Sequence, residues 1–420
     1  MHTMTLPVPY YSLYFNKKAK SLAVAEAYTN QSKESKQRTF TQYMATAAPT
    51  PAAMATASQT PPFDHLKAIK AFEDTKMGVK GLVDSGITSI PPFFIFPPQT
   101  LSDLKPNPSA RPDVNGIPTV DLSEKRPSVV SQIARACREL GFIQIVNHGI
   151  PLEVMDQTIE AVKGFHEQPP EMKAPLYGRS PGTGVNFFSN VDLFQSKAAS
   201  WRDTLQVRLG PDPAPAVSHL PEICRNEIVE WNLAVKKLGE HLMELLCEGL
   251  GLDKGRLKEM MFLESRVMVG HYYPHCPQPD LTLGITSHTD PGVLTILMQS
   301  QIGGLQIKHG DDWVDVKPVP GALVINIGDI LQILSNDEYK SVEHRVLANP
   351  CREPRTSVGV FFNSINRDGL FGPFPELTSP EKPAVYRQFV YMDYLQRFFT
   401  KELDGRSLKD FYRLKDTELV

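Results

Sequence analysis

Hydrophobic side chains recur at helical spacing in several parts of the chain. The clearest series runs through residues 228–245, where successive apolar positions are separated by steps of three and four. Its members are Ile228, Trp231, Val235, Leu238, Leu242 and Leu245. This spacing puts one apolar stripe along a helix, and Gly249 is its predicted end. Further helices are predicted at residues 63–77, 129–140 and 392–403.

From residue 264 onwards the pattern becomes that of short β-strands, each ended by turn residues. The candidate strands are residues 266–273, 283–289, 293–298, 304–308, 313–316, 322–327, 342–347 and 357–363, with another at 142–146. His309-Gly310-Asp311 is typical of a hairpin turn. Many short strands separated by turns predict a double-sheet jelly roll. The predicted fold class is therefore α+β, with a double-stranded β-helix core flanked by N-terminal and C-terminal helices.

Composition divides the chain into three regions. Residues 1–62 are polar and then rich in Ala, Thr, Pro, Ser and Met, so they carry too little apolar surface to order themselves. Three interpretations stay open: a mis-assigned start with Met44 or Met54 as the first residue, a natural disordered arm, or a plastid transit peptide. Residues 63–250 are predicted to form a helical region, and residues 251–420 the jelly-roll domain.

Charge and cysteine content narrow the class of protein. The chain has 420 residues, of which 22% are charged, and a formal net charge of −3, so no basic surface for nucleic acids is indicated. Five scattered cysteines argue against a disulfide framework and for a reducing compartment. No segment approaches the roughly 18 apolar residues of a membrane span. We expect a cytoplasmic monomer that acts on a small molecule, with the plastid as the alternative location.

Three residues have the chemistry of a metal site. His288 and Asp290 are two positions apart, and we expect the strand predicted up to residue 289 to continue through Asp290, so that both side chains point to the same face. His344 lies in a later predicted strand and supplies a third ligand. Two imidazoles and one carboxylate suit Fe(II) and leave open positions for oxygen chemistry, although Zn(II) or Mn(II) can occupy the same donor set. A His-x-Asp pair alone usually reflects ordinary polarity, so the inference depends on the complete set.

Arg355 and Ser357, which we call the clamp, follow the second histidine. A guanidinium offers a rigid fork of donors that matches a carboxylate in two-point contact. Ser357 is two residues further on, so its hydroxyl faces the same way. The clamp predicts a site for the far carboxylate of a 2-oxo diacid whose other end chelates the metal, and Tyr273 is a candidate third member. If Arg355 is considered without the other residues of the set, a structural salt bridge is the favoured interpretation.

Seven motifs are spread over most of the chain: residues 141–149 (GFIQIVNHG), 271–279 (HYYPHCPQP), 288–290 (HTD), 303–306 (GGLQ), 326–329 (NIGD), 343–346 (EHRV) and 355–357 (RTS). Together they resemble the motifs of the plant soluble 2-oxoglutarate/Fe(II)-dependent dioxygenases. The resemblance covers the chain from about residue 63 to its end. Many relatives have Asn in place of His271, near the iron-side carboxylate of the co-substrate, and a histidine also donates hydrogen bonds. The resemblance thus assigns His271 to co-substrate binding.

Two further stretches resemble one branch of that family, the aminocyclopropane-carboxylate oxidase homologues. They are residues 72–86 (FEDTKMGVKGLVDSG) and 200–205 (SWRDTL). This branch includes deacetoxyvindoline 4-hydroxylase, which acts on an alkaloid, and the benzoxazinoid hydroxylase of grasses. The resemblance implies Fe(II) as metal, 2-oxoglutarate and O2 as co-substrates, ascorbate as reductant, and hydroxylation of a ring-bearing plant metabolite with release of succinate and CO2. Retention of Asp290 argues against a halogenase, which needs that ligand position free.

Two other functions stay open. One is an ascorbate-dependent aminocyclopropane-carboxylate oxidase, and the other is a non-catalytic jelly-roll protein that binds a ligand. For the substrate, Phe361 and Asn363 follow the clamp on the same strand and are predicted to face inward with it. Phe187, Phe188 and Phe194 lie in a stretch whose pattern indicates a loop. They are predicted to line the mouth of the pocket. Aromatic lining suits a flat ring.

Overall fold

The computed structural model describes residues 64–102, 116–180, 184–211, 214–400 and 408–415. The predicted extension, residues 1–62, lies outside the described residues. The described residues contain fourteen strands: β1 Thr119–Asp121, β2 Phe142–Val146, β3 Val185–Phe188, β4 Asp203–Arg208, β5 Ser265–Tyr273, β6 Leu283–His288, β7 Leu294–Gln299, β8 Leu305–His309, β9 Asp312–Asp315, β10 Leu323–Ile327, β11 His344–Leu347, β12 Arg355–Asn363, β13 Leu370–Phe371 and β14 Phe389–Val390.

The described part of the chain also contains eleven α-helices. They are α1 His65–Thr75, α2 Gly78–Asp84, α3 Pro98–Ser102, α4 Arg126–Glu139, α5 Leu152–Glu167, α6 Pro170–Lys173, α7 Arg225–Gly249, α8 Arg256–Glu259, α9 Asp329–Leu334, α10 Tyr391–Thr400 and α11 Lys409–Tyr412. Short 3-10 turns occur at Pro92–Phe94, Ala174–Leu176, Val217–His219, Glu222–Cys224, Pro279–Leu281 and Pro375–Leu377. No helix of the described residues is long and apolar enough to cross a bilayer.

Two sheets form the core of the fold. The main sheet has eight strands in the order β1-β2-β10-β7-β12-β5-β4-β3, and the second sheet has four in the order β6-β11-β8-β9. All neighbours are antiparallel except β1 and β2, which are parallel. Every strand predicted between residues 264 and 363 is present within two residues at each end. The predicted α+β jelly roll is confirmed.

The main sheet also contains strands from the first half of the chain. Strands β1 to β4 all precede residue 250, yet they extend the main sheet on both sides of the later strands. The division predicted between residues 250 and 251 therefore does not correspond to a break in the sheet. Helix α5 and strands β3 and β4 fall outside the predicted elements. The buried stripe of α5 contains Thr158 and His166, whose side chains bond the backbone carbonyls of Val154 and Gly270 and so tolerate burial.

Helices cover one face of the main sheet, which we call its outer face. The predicted stripe of α7 is buried, as the spacing requires, and α5 packs against β4, β5, β7 and β12. Val162 of α5 lies so close to β5 that a side chain at Gly270 would stand 2.6 Å from it. The opposite face of the main sheet, its inner face, is turned towards the second sheet, so functional side chains belong there.

The two stretches that resemble one branch of the family lie in contact with each other. Asp203, the first residue of β4, is buried and accepts hydrogen bonds from the backbone N–H groups of Val79 and Lys80, both at 2.8 Å, and from Ser189 at 2.8 Å. Burial raises the pKa of Asp203, and these donors oppose that rise. Gly78 has φ +71°, and a Cβ there would stand 2.4 Å from the Asp203 carboxylate. Helix α2 is thereby fastened to the start of β4.

Candidate metal and co-substrate site

The three predicted metal ligands lie together. The Asp290 Oδ1 atom is 3.7 Å from the His288 Nε2 atom and 3.5 Å from the His344 Nε2 atom. Within the described residues these side chains form a group whose ligand atoms all lie within 4.8 Å of one another. His288 and His344 face each other across the β6–β11 pair, with ring centroids 4.2 Å apart. The group is compact enough to hold one metal ion.

Asp290 is not on a strand, contrary to the prediction. Strand β6 ends at His288, and Asp290 belongs to the following turn. Backbone bonds fasten this turn to the start of α9: the Asp329 N–H donates to the Asp290 carbonyl at 2.8 Å, and the Gly328 N–H donates to the Val293 carbonyl at 3.1 Å. A Cβ at Gly328 would stand 2.1 Å from the Gly292 carbonyl oxygen. The turn and α9 therefore approach each other only because Gly328 has no side chain.

Both histidines direct their Nε2 atom to the centre of the group. His288 Nδ1 is 2.9 Å from the Thr286 carbonyl oxygen, and His344 Nδ1 is 3.2 Å from that of Val342. Because a carbonyl oxygen only accepts, each Nδ1 carries a proton, and in the neutral form of such a ring the lone pair is on Nε2. Burial, and then the neighbouring His344, lowers the pKa of His288 to about 3. Neutral imidazoles of this tautomer are metal ligands.

The second oxygen of the Asp290 carboxylate is already occupied by hydrogen bonds. Thr295 Oγ1 donates to Asp290 Oδ2 at 2.5 Å, and Asn326 Nδ2 donates to the same atom at 2.7 Å. All three side chains are buried. Burial raises the pKa of Asp290, but the imidazoles and then these two donors outweigh it, so the pKa lies below its ordinary value. Asp290 is held as a carboxylate with Oδ1 available to a metal.

The clamp is buried and lacks a counter-charge. Arg355 is 1% exposed; it donates to Ser357 Oγ at 3.3 Å and to Gln299 Oε1 at 2.8 Å, and its guanidinium lies 4.9 Å from the centre of the Tyr273 ring. No carboxylate of the described residues forms an ion pair with it, and its Nε and the Gln299 Nε2 are buried without hydrogen-bond partners. Burial lowers the pKa of Arg355. A buried cation with unused donors fits an anionic ligand.

His271 lies beside the clamp on the inner face. It is the cross-strand partner of Ser357 on β12 and of Thr204 on β4. Its Nδ1 is 3.0 Å from the Thr204 hydroxyl. Burial, and then the charges of Arg202 and Arg355, hold the pKa of His271 well below its ordinary value. A neutral His271 offers one further nitrogen to a ligand held by the clamp.

The predicted substrate residues separate into two groups. Phe361 and Asn363 lie on the same side of β12 as Ser357 and are partly exposed. Phe361 is the cross-strand partner of Thr295, which bonds Asp290. Tyr391 of α10 donates to Asn363 Oδ1 at 3.2 Å, so the Asn363 amide nitrogen stays available. These two residues face the interior that contains the candidate ligands.

Phe187 and Phe188 do not lie in a loop, because they form the end of strand β3. Phe187 is fully buried on the outer face, where its ring contacts Phe165 and His166 of α5. Assigning it to the pocket mouth is therefore wrong: successive strand residues point to opposite faces. Phe188 is the partner of Thr204 and shares the inner face with His271. Phe194 is 52% exposed.

From the sequence, no role in the site was predicted for four residues that the structure places there: Thr295, Gln299, Asn326 and Thr204. The last two lie in the motifs at residues 326–329 and 200–205. A weak signal existed for Asn326, since it is the one polar residue of the otherwise apolar strand β10. The roles of the others depend on cross-strand contacts, which no local pattern reveals.

Family models match two parts of the chain. Residues 264–364 match the 2OG-Fe(II) oxygenase superfamily, and residues 117–226 match the N-terminal region described as non-haem dioxygenase in morphine synthesis. The 1-aminocyclopropane-1-carboxylate oxidase homolog 4 of Arabidopsis thaliana is 49% identical over 350 residues, which cover 83% of this chain and 98% of that relative. The chain belongs to the 2OG-Fe(II) oxygenase superfamily. The 1-aminocyclopropane-1-carboxylate oxidase homolog 1 of the same plant is 47% identical, and the match covers 83% of this chain and 96% of that relative.

Solved structures of this superfamily share the fold. The crystal structure of JOX2 in complex with 2OG, Fe and JA has a TM-score of 0.72 and 32% identity, and the match covers 80% of this chain and 98% of JOX2. The rice dioxygenase for auxin oxidation shows the same fold, with a TM-score of 0.59 and 24% identity. That match covers 70% of this chain and 99% of the rice protein. This protein is accordingly a 2-oxoglutarate/Fe(II)-dependent dioxygenase, with O2 and ascorbate as the oxidant and reductant typical of the family.

Proposed function

We propose that this dioxygenase hydroxylates a ring-bearing small molecule, with Fe(II) held by His288, Asp290 and His344. The observation that carries the proposal is the arrangement of β12. Arg355, Ser357 and Phe361 lie on one side of this strand, and the partner of Phe361 bonds the carboxylate of the candidate triad. The candidate co-substrate site, the candidate metal site and Phe361, the candidate substrate residue, therefore face the same interior.

The proposed overall reaction conserves all atoms and electrons. The substrate C–H, 2-oxoglutarate and O2 give the alcohol, succinate and CO2, so one oxygen atom enters the product and the other enters succinate. The bound iron supplies the activation of O2 that no protein side chain provides. The protein contributes ligation, orientation and the exclusion of water from the interior.

The side chains of the site have separate tasks in this proposal. Arg355 and Ser357, with Tyr273 alongside, bind the far carboxylate of 2-oxoglutarate, because they form a buried cationic group with unused donors. His271, kept neutral by burial, bonds the carboxylate at the metal end. The protonated Nδ1 atoms of the two ligand histidines stay bonded to their own backbone, so both rings are oriented before metal binds.

The class of substrate is proposed from the inner-face side chains near the candidate ligands. Phe361, and Phe188 on the same face, offer apolar surfaces on which a flat ring can lie, while the free amide nitrogen of Asn363 can donate to a polar substituent. The branch resemblance to alkaloid and benzoxazinoid hydroxylases agrees with this chemistry. JOX2, which was crystallised with JA, shows that a relative at 32% identity binds a small molecule in addition to 2OG.

The proposal is tested by incubating the iron-loaded protein with 2-oxoglutarate, ascorbate and a plant metabolite extract. We expect succinate to form and at least one extract compound to gain one oxygen atom. Replacement of a metal ligand, Asp290→Ala, should remove both signals, while Asp311→Ala in the exposed turn before β9 serves as the matched control.

Each competing function has its own outcome. Turnover that needs ascorbate but no 2-oxoglutarate, with aminocyclopropane-carboxylate as substrate, would support an oxidase of that kind. Binding of extract compounds with no succinate would support a non-catalytic binding protein. An Asp290→Ala variant that still oxygenates would disprove the triad assignment.

A further inference from the structure

The middle of the main sheet faces a hollow. Strands β4, β5 and β12 each have neighbours on both sides, yet two inner-facing residues on each of them are partly exposed. Gln206, Val267 and Phe361 are examples, whereas Leu205 and Val207 beside Gln206 are buried. These positions belong to the inner face: Phe361 and Val267 share a row with Thr295. Gln206 is two residues from Thr204, the partner of His271, and so faces the same way. Partial exposure at the centre of a sheet means that open space lies in front of it.

One row of this inner face carries two amide side chains. Asn186 of β3 is the partner of Gln206 of β4, which is the partner of Val269 of β5, and Val269 is the partner of Gly359 of β12. This row lies between the row of the clamp and the row of Phe361, roughly 7 Å from each along the strands. Gly359 has no side chain, although a Cβ there would meet no atom closer than 3.5 Å. The row therefore leaves the wall without a side chain two strands away from Gln206.

The two amides have no partner within the described part of the chain. No hydrogen bond to the side chain of Asn186 or of Gln206 occurs there, not even between these neighbours. Asn186 is only 7% exposed, but its amide atoms are not among the fully buried atoms that lack a partner, so the end of the side chain reaches open space. Two other buried amides nearby, Asn190 and Asn326, are hydrogen-bonded within the protein. A ligand in the hollow would supply the missing bonds.

We propose that Asn186 and Gln206 are specificity-determining residues that bind an uncharged oxygen substituent of the substrate, a hydroxyl or a carbonyl group. This inference rests on the proposed function and names the chemistry that the substrate presents to β3 and β4. An amide offers both donor and acceptor atoms and no charge, so it matches a hydroxyl or carbonyl better than a carboxylate. The ring then lies against Phe361, with the oxygen substituent directed away from the reacting C–H.

The test compares the wild type with Gln206→Met and Asn186→Leu, which keep the size of each side chain and remove its hydrogen bonding. Gln157→Met, on the exposed side of α5, makes the same chemical change away from the hollow. Each iron-loaded protein is incubated with 2-oxoglutarate, ascorbate and the plant metabolite extract, and the depletion rate of every compound is followed by mass spectrometry. The affinity of the compound most depleted by the wild type is then measured by calorimetry on zinc-substituted protein with 2-oxoglutarate bound.

We expect each amide variant to bind that compound about two- to tenfold more weakly and to shift depletion towards relatives with fewer oxygen substituents, while Gln157→Met behaves as the wild type. Unchanged affinity and preference in both amide variants would overturn the assignment. Weaker binding of 2-oxoglutarate, measured in the same calorimeter, would also overturn it, because the amides would then serve the co-substrate. If the wild type depletes nothing, the proposed function itself fails, and this outcome is distinct from the other two.

Discussion

The hydrogen bonds to the second oxygen of Asp290 allow a quantitative prediction. Thr295→Val keeps the shape of the side chain and removes the hydroxyl that donates to Asp290 Oδ2 at 2.5 Å. A hydrogen bond to a charged group contributes about 1.5–3 kcal/mol, or roughly ten- to more than a hundredfold in an equilibrium constant. Asn326 still holds the same oxygen at 2.7 Å, so the lower part of this range applies. We expect metal affinity to fall about 10-fold.

The physical reason is the orientation of the carboxylate. With both donors in place, Oδ2 is engaged and Oδ1 faces the two imidazoles; with one donor lost, the carboxylate gains freedom to rotate and its charged form is less favoured. Replacing partners of metal ligands typically costs 10- to 100-fold in metal affinity. At saturating metal the variant should recover most of its turnover, because the ligand set is unchanged.

The assay is an anaerobic titration of Fe(II) or Mn(II) against a competing chelating dye, with turnover measured at several metal concentrations. The control is Thr400→Val, at the exposed end of α10, whose hydroxyl bonds only the helix backbone. Unchanged metal affinity in Thr295→Val, or an equal loss in Thr400→Val, would refute the reasoning. A loss of turnover that excess metal does not restore would show instead that Thr295 acts after metal binding.

Three further predictions concern other parts of the molecule. Arg355→Ala should raise the 2-oxoglutarate requirement by roughly thirty- to several-thousand-fold, since a desolvated two-point contact costs on the order of 2–5 kcal/mol; an unchanged requirement in succinate assays would place the clamp elsewhere. Phe361→Ala should weaken substrate binding by about 1.5 kcal/mol, and loss of metal or 2-oxoglutarate binding instead would identify the ring as core. Burial lowers the pKa of His166 to about 3, below the roughly 6.5 of the unfolded chain. Its contribution to stability is therefore complete above pH 6.5 and is lost towards pH 3, by up to about 1.4 kcal/mol per pH unit, and urea titrations of His166→Gln should show a shallower decline.

Local patterns in the sequence determined the elements and the chemistry of the site. Strand alternation and turn residues predicted the strands from β5 to β12, because a half-buried strand must alternate whatever its neighbours are. The identity and spacing of His288, Asp290, His344 and the clamp indicated the metal and co-substrate chemistry, because donor type restricts which ligands a site accepts. Each of these inferences needs only a few consecutive residues or a recognised motif.

Only the tertiary structure decided which side chains share the interior. Alternation shows that Phe187 and Phe188 point to opposite faces, but the pairing of β3 with β4 decides which face is inward, and a shift of one residue would exchange them. The same long-range register brings Asn186 beside Gln206 and Thr295 beside Asp290. Pairing between strands far apart in the chain depends on the closure of the whole sheet, so no local signal in the sequence contains it.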